Sequence, residues 1–475
     1  MAYPGLICCL LFIAFLLMRD SRRRTSLSWA IWIPTIFLLI VGSRPLSLWL
    51  GGTRSYSGAG LANDAEGSAV DQVFFFSMIV SSLIIATLRH VKWGKLLAAN
   101  VPLLLFYLYF AVSISWSEDP MGSTKRLFKD FGMLFVISLI LSEKNPLEAV
   151  RAVYVRCACV LFPLSAVCIK WFPNIARQFA INGEIMYTGV TTQKNTLGEI
   201  VLVFGLFLVW DCLETWPAKR QWSRLPWDRL LLLLMGFWLL NMCQSKTALF
   251  CLLMGAALML RKGWFASKTF SRIALLVALS VPYLLFFSQR FSSVVAPVVE
   301  ALGRNMTFTG RTDIWQHITS TTVNPLIGAG YWNFWGGTGG LKVNEEMHSI
   351  IPNAHDGYVD LYLDGGVIGL ILLFFMLVAY GRRLMRNLRG DRFQRLRFAT
   401  LIAAIIYNVS ESNWARLSTI WFTTLLVFVD FPYLKRRLKM KPASSPLGKD
   451  QTLATADVPG WLDSKPINSP SITAS

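Results

Sequence analysis

The feature that most constrains this chain is a series of apolar blocks, each close to the length that crosses a bilayer core. A spanning helix takes about 20 predominantly apolar residues, and roughly 17 at the least. Thirteen blocks can be read, centred near residues 4–18, 28–50, 71–88, 96–115, 131–142, 152–172, 197–213, 229–243, 247–260, 273–289, 364–380, 397–411 and 417–434. Those at 131–142, 229–243 and 247–260 are short. Composition agrees, with 54% hydrophobic residues, 15% charged residues, 32 Phe and 18 Trp. In a bilayer the backbone must satisfy its own polar groups, which makes such blocks helices. The expected fold is therefore all-α: a polytopic transmembrane helix bundle of about 13 helices. Its organisation reads as helices one to ten over 1–289, one long loop over 290–363, and helices eleven to thirteen over 364–434. A Ser- and Pro-rich tail, 442–475, reads as disordered. The first block has no basic segment before it and no small-residue cleavage site, so it reads as a retained helix rather than a signal peptide.

The formal charge of +19 invites a nucleic-acid reading, but its distribution excludes one. Of 46 Lys and Arg, 29 fall in alternate connecting segments: 19–24, 89–95, 144–151, 219–229, 261–272, 381–397 and 435–441. That alternation is the positive-inside bias. It places those segments in the cytoplasm, the N-terminus outside, the C-terminus inside, and the 290–363 loop on the outer face. The eight cysteines all lie in or beside apolar blocks, with neither a disulfide framework nor metal-ligand spacing. No phosphate-binding glycine loop and no Asp-x-Asp pair occurs on the outer side, so no cofactor is expected.

Polar residues with chemical potential gather on the outer side. Residues 353–374, "NAHDGYVDLYLDGGVIGLILLF", set His355 beside Asp356 where loop gives way to helix. On a helix, His355, Tyr358, Val359, Tyr362, Gly366 and Gly369 would share one face. His355 then sits at the outer mouth, and the glycines admit a neighbouring helix. His317 and His348 are weaker rivals, and a histidine that merely packs is the other reading. Arg311, after Gly310 and before Thr312 and Asp313, stands at a helix start, where a guanidinium and free amides suit a phosphate. The same spacing also allows a surface Arg311–Asp313 pair of little worth. Lys194 and Asn195 precede the seventh block, and Lys246 occupies a very short turn between the eighth and ninth. A lysine there either snorkels to the interface or faces a functional cavity. Trp315, Tyr331, Trp332 and Trp335 can stack on sugar rings or form an interfacial aromatic belt.

In order along the chain, "SISWSEDP" (113–120), "QKNTLG" (193–198), "QSKTAL" (244–249), "GRTDIW" (310–315), "NPLIGAGYWNFW" (324–335), His355-Asp356 with its two later glycines, and "NVSESN" (408–413) resemble the O-antigen ligase and exopolysaccharide polymerase superfamily. The chain departs from that pattern in having Asp356 after the histidine and Lys246 where an arginine is usual. Both departures resemble the exopolysaccharide branch more than the lipopolysaccharide ligases. The resemblance implies a GT-C-like membrane bundle in a bacterial inner membrane. It implies a glycosyltransferase whose donor is an undecaprenyl-diphosphate-linked glycan and whose acceptor is a glycan or a lipid. Membrane lipids, a flippase and a chain-length regulator are the implied partners, with no nucleic acid.

That chemistry accounts for the candidate residues. Negative charge builds on the departing diphosphate, so cations placed against it lower the barrier. Arg311 and Lys246 are expected in that role, with Lys194 and Arg177 as helpers. His355 is expected to take the acceptor's proton, with Asp356 or Asp360 orienting it. Asp356, Trp315 and Tyr358 are expected to contact substrate. A ligase differs from a polymerase only in its acceptor. A solute or bicarbonate-type transporter is the reading from another class, and would place its charges near the midplane of repeated halves.

Overall fold

The computed structural model describes residues 2–51, 68–179, 183–216, 226–260, 267–286, 314–315, 317–318, 323–386, 388 and 392–431. Arg311 and the 442–475 tail lie outside them. The described chain is mostly helical, as the apolar blocks require, and it is a polytopic helical membrane protein. Among the described residues, five helices are long and apolar enough to cross a bilayer. A sixth is counted if Trp93–Ala99 and Val101–Trp116, bent by 94°, form one span.

Those five are α1 (Ala2–Arg23), α3 (Ala69–Leu88), α6 (Pro146–Trp171), α7 (Lys194–Thr215) and α12 (Gly357–Met385). Between them in the chain lie α2 (Trp32–Val41), α4 (Val101–Ser113), α5 (Pro120–Leu141), α8 (Trp227–Cys243), α9 (Lys246–Leu260), α10 (Lys268–Phe286) and α11 (Thr338–Glu346). After α12 come α13 (Arg392–Tyr407) and α14 (Thr419–Phe428). The short 131–142 block is the second half of α5, whose first half carries Lys125, Arg126, Lys129 and Asp130. The short 229–243 and 247–260 blocks are α8 and α9, joined by two residues, of which Gln244 is left-handed at φ 52°.

Helix α7 is the hub. It packs against α6, α8, α9, α13 and α14, and it is buried along most of its length, with a continuous apolar run over 200–210. Small residues make the close contacts: a Cβ at Gly198 would lie 2.6 Å from Ser245 in the α8–α9 turn. Two short strands, β1 (Arg177–Phe179) and β2 (Ile185–Tyr187), form an antiparallel ribbon between α6 and α7, with Gln178 opposite Met186.

Charged residues sort to opposite ends of this bundle. The end formed by the C-terminus of α1, the first half of α6, the C-terminus of α7 and the start of α8 holds a buried ion network. Asp20 accepts from Arg24 (2.9 Å), Arg156 (3.1 Å) and Arg229 (2.9 Å). Asp211 accepts from Arg151 (2.7 Å) and Arg229 (3.0 Å). Asp20 is fully buried. Removing one partner of such a network leaves uncompensated buried charge and costs about 3–5 kcal/mol. Asp20→Ala, which removes a partner from three guanidinium groups, is therefore expected to lower the detergent-solubilised protein's unfolding temperature sharply. An unchanged melting curve would remove this network from the account of stability.

At the other end the structure corrects the expected helical face. Asp356 is the N-cap of α12, its carboxylate accepting from Tyr358 N (2.8 Å) and Val359 N (3.1 Å), so His355 lies outside the helix. Gly366 interrupts α12 at φ 59°, ψ −162°, a conformation essentially restricted to glycine. The backbone groups freed by the break are taken up by the segment Pro325–Gly330. Ala329 and Gly330 amides donate to Leu363 and Asp364 (2.8 and 2.9 Å), and Val367 and Ile368 amides donate to Pro325 and Leu326 (2.9 and 3.1 Å). The two glycines of "LDGGVIG" thus divide the work. Gly365 lets α4 approach, with Phe110 2.9 Å from where its Cβ would be, while Gly366 turns the chain to receive the loop.

Candidate functional site

Docking the 323–337 segment on broken α12 creates a cavity of about 620 Å³ at the end opposite the ion network. Its wall is drawn from α2, α3, α5, β1, the start of α7 and the segments 332–336, 350–353 and 412–418. Three cations line it: Arg126 and Lys129 from α5, one turn apart, and Arg416 from the link before α14. All three are buried or half-buried.

Trp332 organises two of them. The Arg126 guanidinium lies 5.7 Å and that of Arg416 5.0 Å from its ring centroid. Arg126 also donates to the Trp332 carbonyl at 3.0 Å. Arg416 is held 3.2 Å from Asp360 and 3.7 Å from Asp364. Asp360 in turn accepts from Trp335 Nε1 (2.7 Å) and Ala354 N (3.0 Å), tying both rims of the cavity to α12. Behind them, the fully buried Tyr331 sets its hydroxyl 2.9 Å from Asp130 and 2.9 Å from the Ala415 carbonyl. Burial and the nearby Asp130 carboxylate push that phenol well above the usual tyrosine range, so it stays protonated. Trp332, His355 and Ala415 are all left-handed non-glycine residues (φ 51°, 51° and 52°). Such strain costs about 1–3 kcal/mol each and collects where geometry is constrained for use.

Two carboxylates also line the cavity. Glu199, one turn into α7, accepts from Thr419 Oγ1 (2.7 Å) and Ile420 N (2.9 Å) at the start of α14. Asp71 is engaged by Ser47 and by its own N-cap, Ser68.

The residues singled out from sequence fall around this cavity unevenly. His355 is half-buried at its edge, its backbone N donating to Asn353 Oδ1 at 2.9 Å and its Nδ1 3.9 Å from the Glu411 carboxylate. Asn353 and Ser412, flanking that pair in sequence, line the cavity. Neither Asp356, which caps α12, nor Asp360, which holds Arg416 and Trp335, is the carboxylate beside His355. Lys194 and Lys246 begin α7 and α9 at the same end, Lys194 half-buried between the cavity-lining Gln193 and Thr196, Lys246 exposed. Arg177 lies on β1 and faces a separate groove. Tyr358 does not reach the cavity: it is buried, its hydroxyl donating to the Ile405 carbonyl (2.9 Å) and its ring against Trp414 and Phe374. Trp315 donates to the Ala354 carbonyl at 3.0 Å and packs in the small core under this loop. His317 pairs with Glu346 at the surface. Arg126, Lys129, Arg416, Glu199 and Glu411 were not singled out from sequence. For Arg126, Lys129 and Glu199 the available signal was an ionisable residue inside an otherwise apolar helix, which seldom occurs without function.

Fold and cavity together define a polytopic membrane protein with a polar, cation-lined chamber at one end. Residues 230–374 match the family described as O-antigen ligase. That range runs from α8 into α12, through Lys246, Trp332 and His355. The chain is also 25% identical over 301 residues to the exopolysaccharide production protein ExoQ of Rhizobium meliloti strain 1021. The matched region is 60% of this chain and 66% of that relative. Over these ranges the chain is similar to the O-antigen ligase family and to an exopolysaccharide production protein.

Proposed function

We propose that this protein is a membrane glycosyltransferase that polymerises oligosaccharide units carried on undecaprenyl diphosphate, at the periplasmic face of the inner membrane, for exopolysaccharide or O-antigen production. The observation that carries the reading is the cavity with Arg126, Lys129 and Arg416 on its wall, at the end of the bundle away from the basic segments 19–24 and 144–151 and from Arg229. The basic end is the cytoplasmic one by the positive-inside bias, which puts the cavity, the 290–363 loop and the N-terminus on the periplasmic side. About thirteen spans, several of them short or bent, complete this topology.

In the reaction, an acceptor hydroxyl attacks C1 of the donor sugar. A glycosidic C–O bond forms, the C1–O bond to the diphosphate breaks, and undecaprenyl diphosphate leaves with the bonding pair. The three cations, buried or half-buried on the cavity wall, oppose charge that grows on the leaving group. Lys194 and Lys246 add positive charge at the same end of the bundle, and Arg311, outside the described residues, is proposed to act on the same leaving group. The acceptor's proton goes to His355, where Glu411 at 3.9 Å favours the imidazolium that forms. The donor already carries its leaving group, so neither nucleotide nor metal is required. A flippase supplies the donor, and a chain-length regulator acts on the product. Transfer to a lipid acceptor would make the same site a ligase.

Purified protein should extend a lipid-diphosphate oligosaccharide without added nucleotide. Arg126→Gln is expected to lower that rate by about 10²–10³-fold at normal membrane levels, the usual effect of removing one donor from a developing anion. Arg126→Lys should recover little, because a point charge replaces a planar fork. Failure of the wild type to extend the donor, or wild-type rates in Arg126→Gln, would overturn the proposal.

A further inference from the structure

A second hollow lies at the same end of the bundle, outside the chamber. It is a groove of about 660 Å³ between the last turns of α6, the β1–β2 ribbon and the second half of α8. Its floor is apolar and soft, with Val167, Met235 and Met242. Its lip is greasy and opens outward: Leu234 is 67% exposed and Trp238 43%. In a membrane bundle such side chains meet hydrocarbon, so the groove opens sideways into the bilayer. Methionine and tryptophan suit an irregular, flexible chain.

The polar side of the groove carries one sign of charge. Lys170 and Arg177 line it, and no Asp or Glu does among the described residues. Lys170 Nζ sits 4.8 Å from the centre of the Trp171 ring. The Arg177 guanidinium lies 5.6 Å from the Tyr187 ring and donates one hydrogen bond, from Nη2 to the Ile169 carbonyl at 3.0 Å. Its Nε is buried and has no hydrogen-bond partner. An arginine in the fork geometry that suits phosphate, with donors to spare beside a lysine and above an apolar floor, complements a phosphate at the head of a long hydrocarbon chain.

The ribbon also connects this groove to the chamber. Side chains alternate along a strand. Arg177 points into the groove, and the next residue, Gln178, lines the 620 Å³ cavity, its Nε2 donating to the Thr192 carbonyl at 2.7 Å. One strand is the wall between the two hollows.

We infer that the groove is the lateral seat of the donor's lipid carrier: the polyprenyl tail lies along α8, and Arg177 and Lys170 hold its phosphate at the wall of the reaction chamber. The inference rests on the glycosyltransferase reading for the identity of the carrier. A bulk phospholipid has no reason to be held one strand from the chamber, whereas a carrier whose head must enter the chamber does. Arg177 is on this view a tether at the groove, not one of the cations facing the reacting bond.

The test uses full-length protein in phosphatidylethanolamine nanodiscs, with p-benzoylphenylalanine placed at Met235. Two probes are offered at equal mole fraction, undecaprenyl monophosphate and phosphatidylglycerol, and adducts are read by mass spectrometry after irradiation. Preferential capture of the polyprenyl phosphate is expected, falling by roughly tenfold or more in the Arg177→Gln/Lys170→Gln variant, since each cation near a membrane surface contributes appreciably to anionic lipid binding. Equal capture of both lipids, or capture unchanged in the double variant, overturns the assignment. Neither probe carries a sugar, so capture is independent of transfer. Capture without any glycan transfer by the same preparation would refute the glycosyltransferase reading and leave the groove standing as a polyprenyl-phosphate site. Transfer without capture would refute the groove alone.

Discussion

Alanine at Gly366 is expected to remove nearly all folded protein from the membrane, while alanine at Gly369, one turn on, is expected to be close to neutral. The contrast follows from backbone rather than from packing in general. Gly366 stands at φ 59°, ψ −162°, where a Cβ is strained on its own account. That Cβ would also lie 2.5 Å from Ile327 N, and a backbone atom cannot rotate aside. Relief requires the Pro325–Gly330 segment to withdraw, which strands four amide and carbonyl pairs between it and α12. Each pair is worth about 1 kcal/mol net, and more where water cannot replace it. With strain of about 1–3 kcal/mol added, the loss approaches the whole stability of an ordinary domain, about 5–15 kcal/mol. At Gly369 the nearest atom to a new Cβ is Phe110 Cζ at 3.4 Å, an ordinary contact. The check is membrane abundance and a monodisperse gel-filtration peak for both variants. Normal behaviour of Gly366→Ala would mean that the loop does not depend on this break.

The same break shows where sequence reasoning runs out. Apolar blocks are legible because the bilayer imposes a length on them, and the distribution of Lys and Arg is legible because it follows loop order. Neither requires knowing which residues meet. A pair of glycines in an apolar run reads equally as a close helix contact or as a break, and only the partner decides. For Gly366 that partner is the "NPLIGAG" segment some forty residues earlier. The chamber has the same character. Arg126 and Lys129 are visible as charges inside an apolar helix, but Trp332, which lies between Arg126 and Arg416, comes more than two hundred residues after Arg126. Lys246 drew notice for its short turn, and that turn serves to seat Ser245 against Gly198. Asp20 was invisible for the opposite reason: beside a run of arginines it reads as topology, whereas with Asp211, a lone acid at the end of an apolar run, it holds four helices together. Charge counting speaks to the side of the membrane and misses the bonds.

His355→Ala is expected to cost about 10²–10⁴-fold in glycan transfer, the range for loss of a proton acceptor in the transition state, with membrane abundance near wild type. The structure gives a reason to separate this from a folding defect. His355 lies before the α12 N-cap, half-buried, and its backbone contact, N to Asn353 Oδ1, is one that alanine retains. Its left-handed φ is a strained feature, and alanine carries the same Cβ as histidine, so the substitution adds only a little strain. Glu411 supplies the second arm. At 3.9 Å from Nδ1 it is outside hydrogen-bond length, so its influence is Coulombic. A unit pair at that distance is worth about 1 kcal/mol in water and about 4 kcal/mol at an effective dielectric of 20. Glu411→Gln should therefore lower turnover by roughly 10–10³-fold, less than His355→Ala. The double variant should be no worse than His355→Ala alone, because the carboxylate acts through the ring. Additive losses would show Glu411 working on substrate independently. His355→Gln separates two chemistries: a glutamine donates a hydrogen bond but takes no proton at neutral pH, so retained activity would make His355 a donor to the diphosphate. Rates near wild type in His355→Ala itself would remove the histidine from the mechanism and leave Glu199, the other carboxylate-bearing wall of the chamber near α14, as the group to test next.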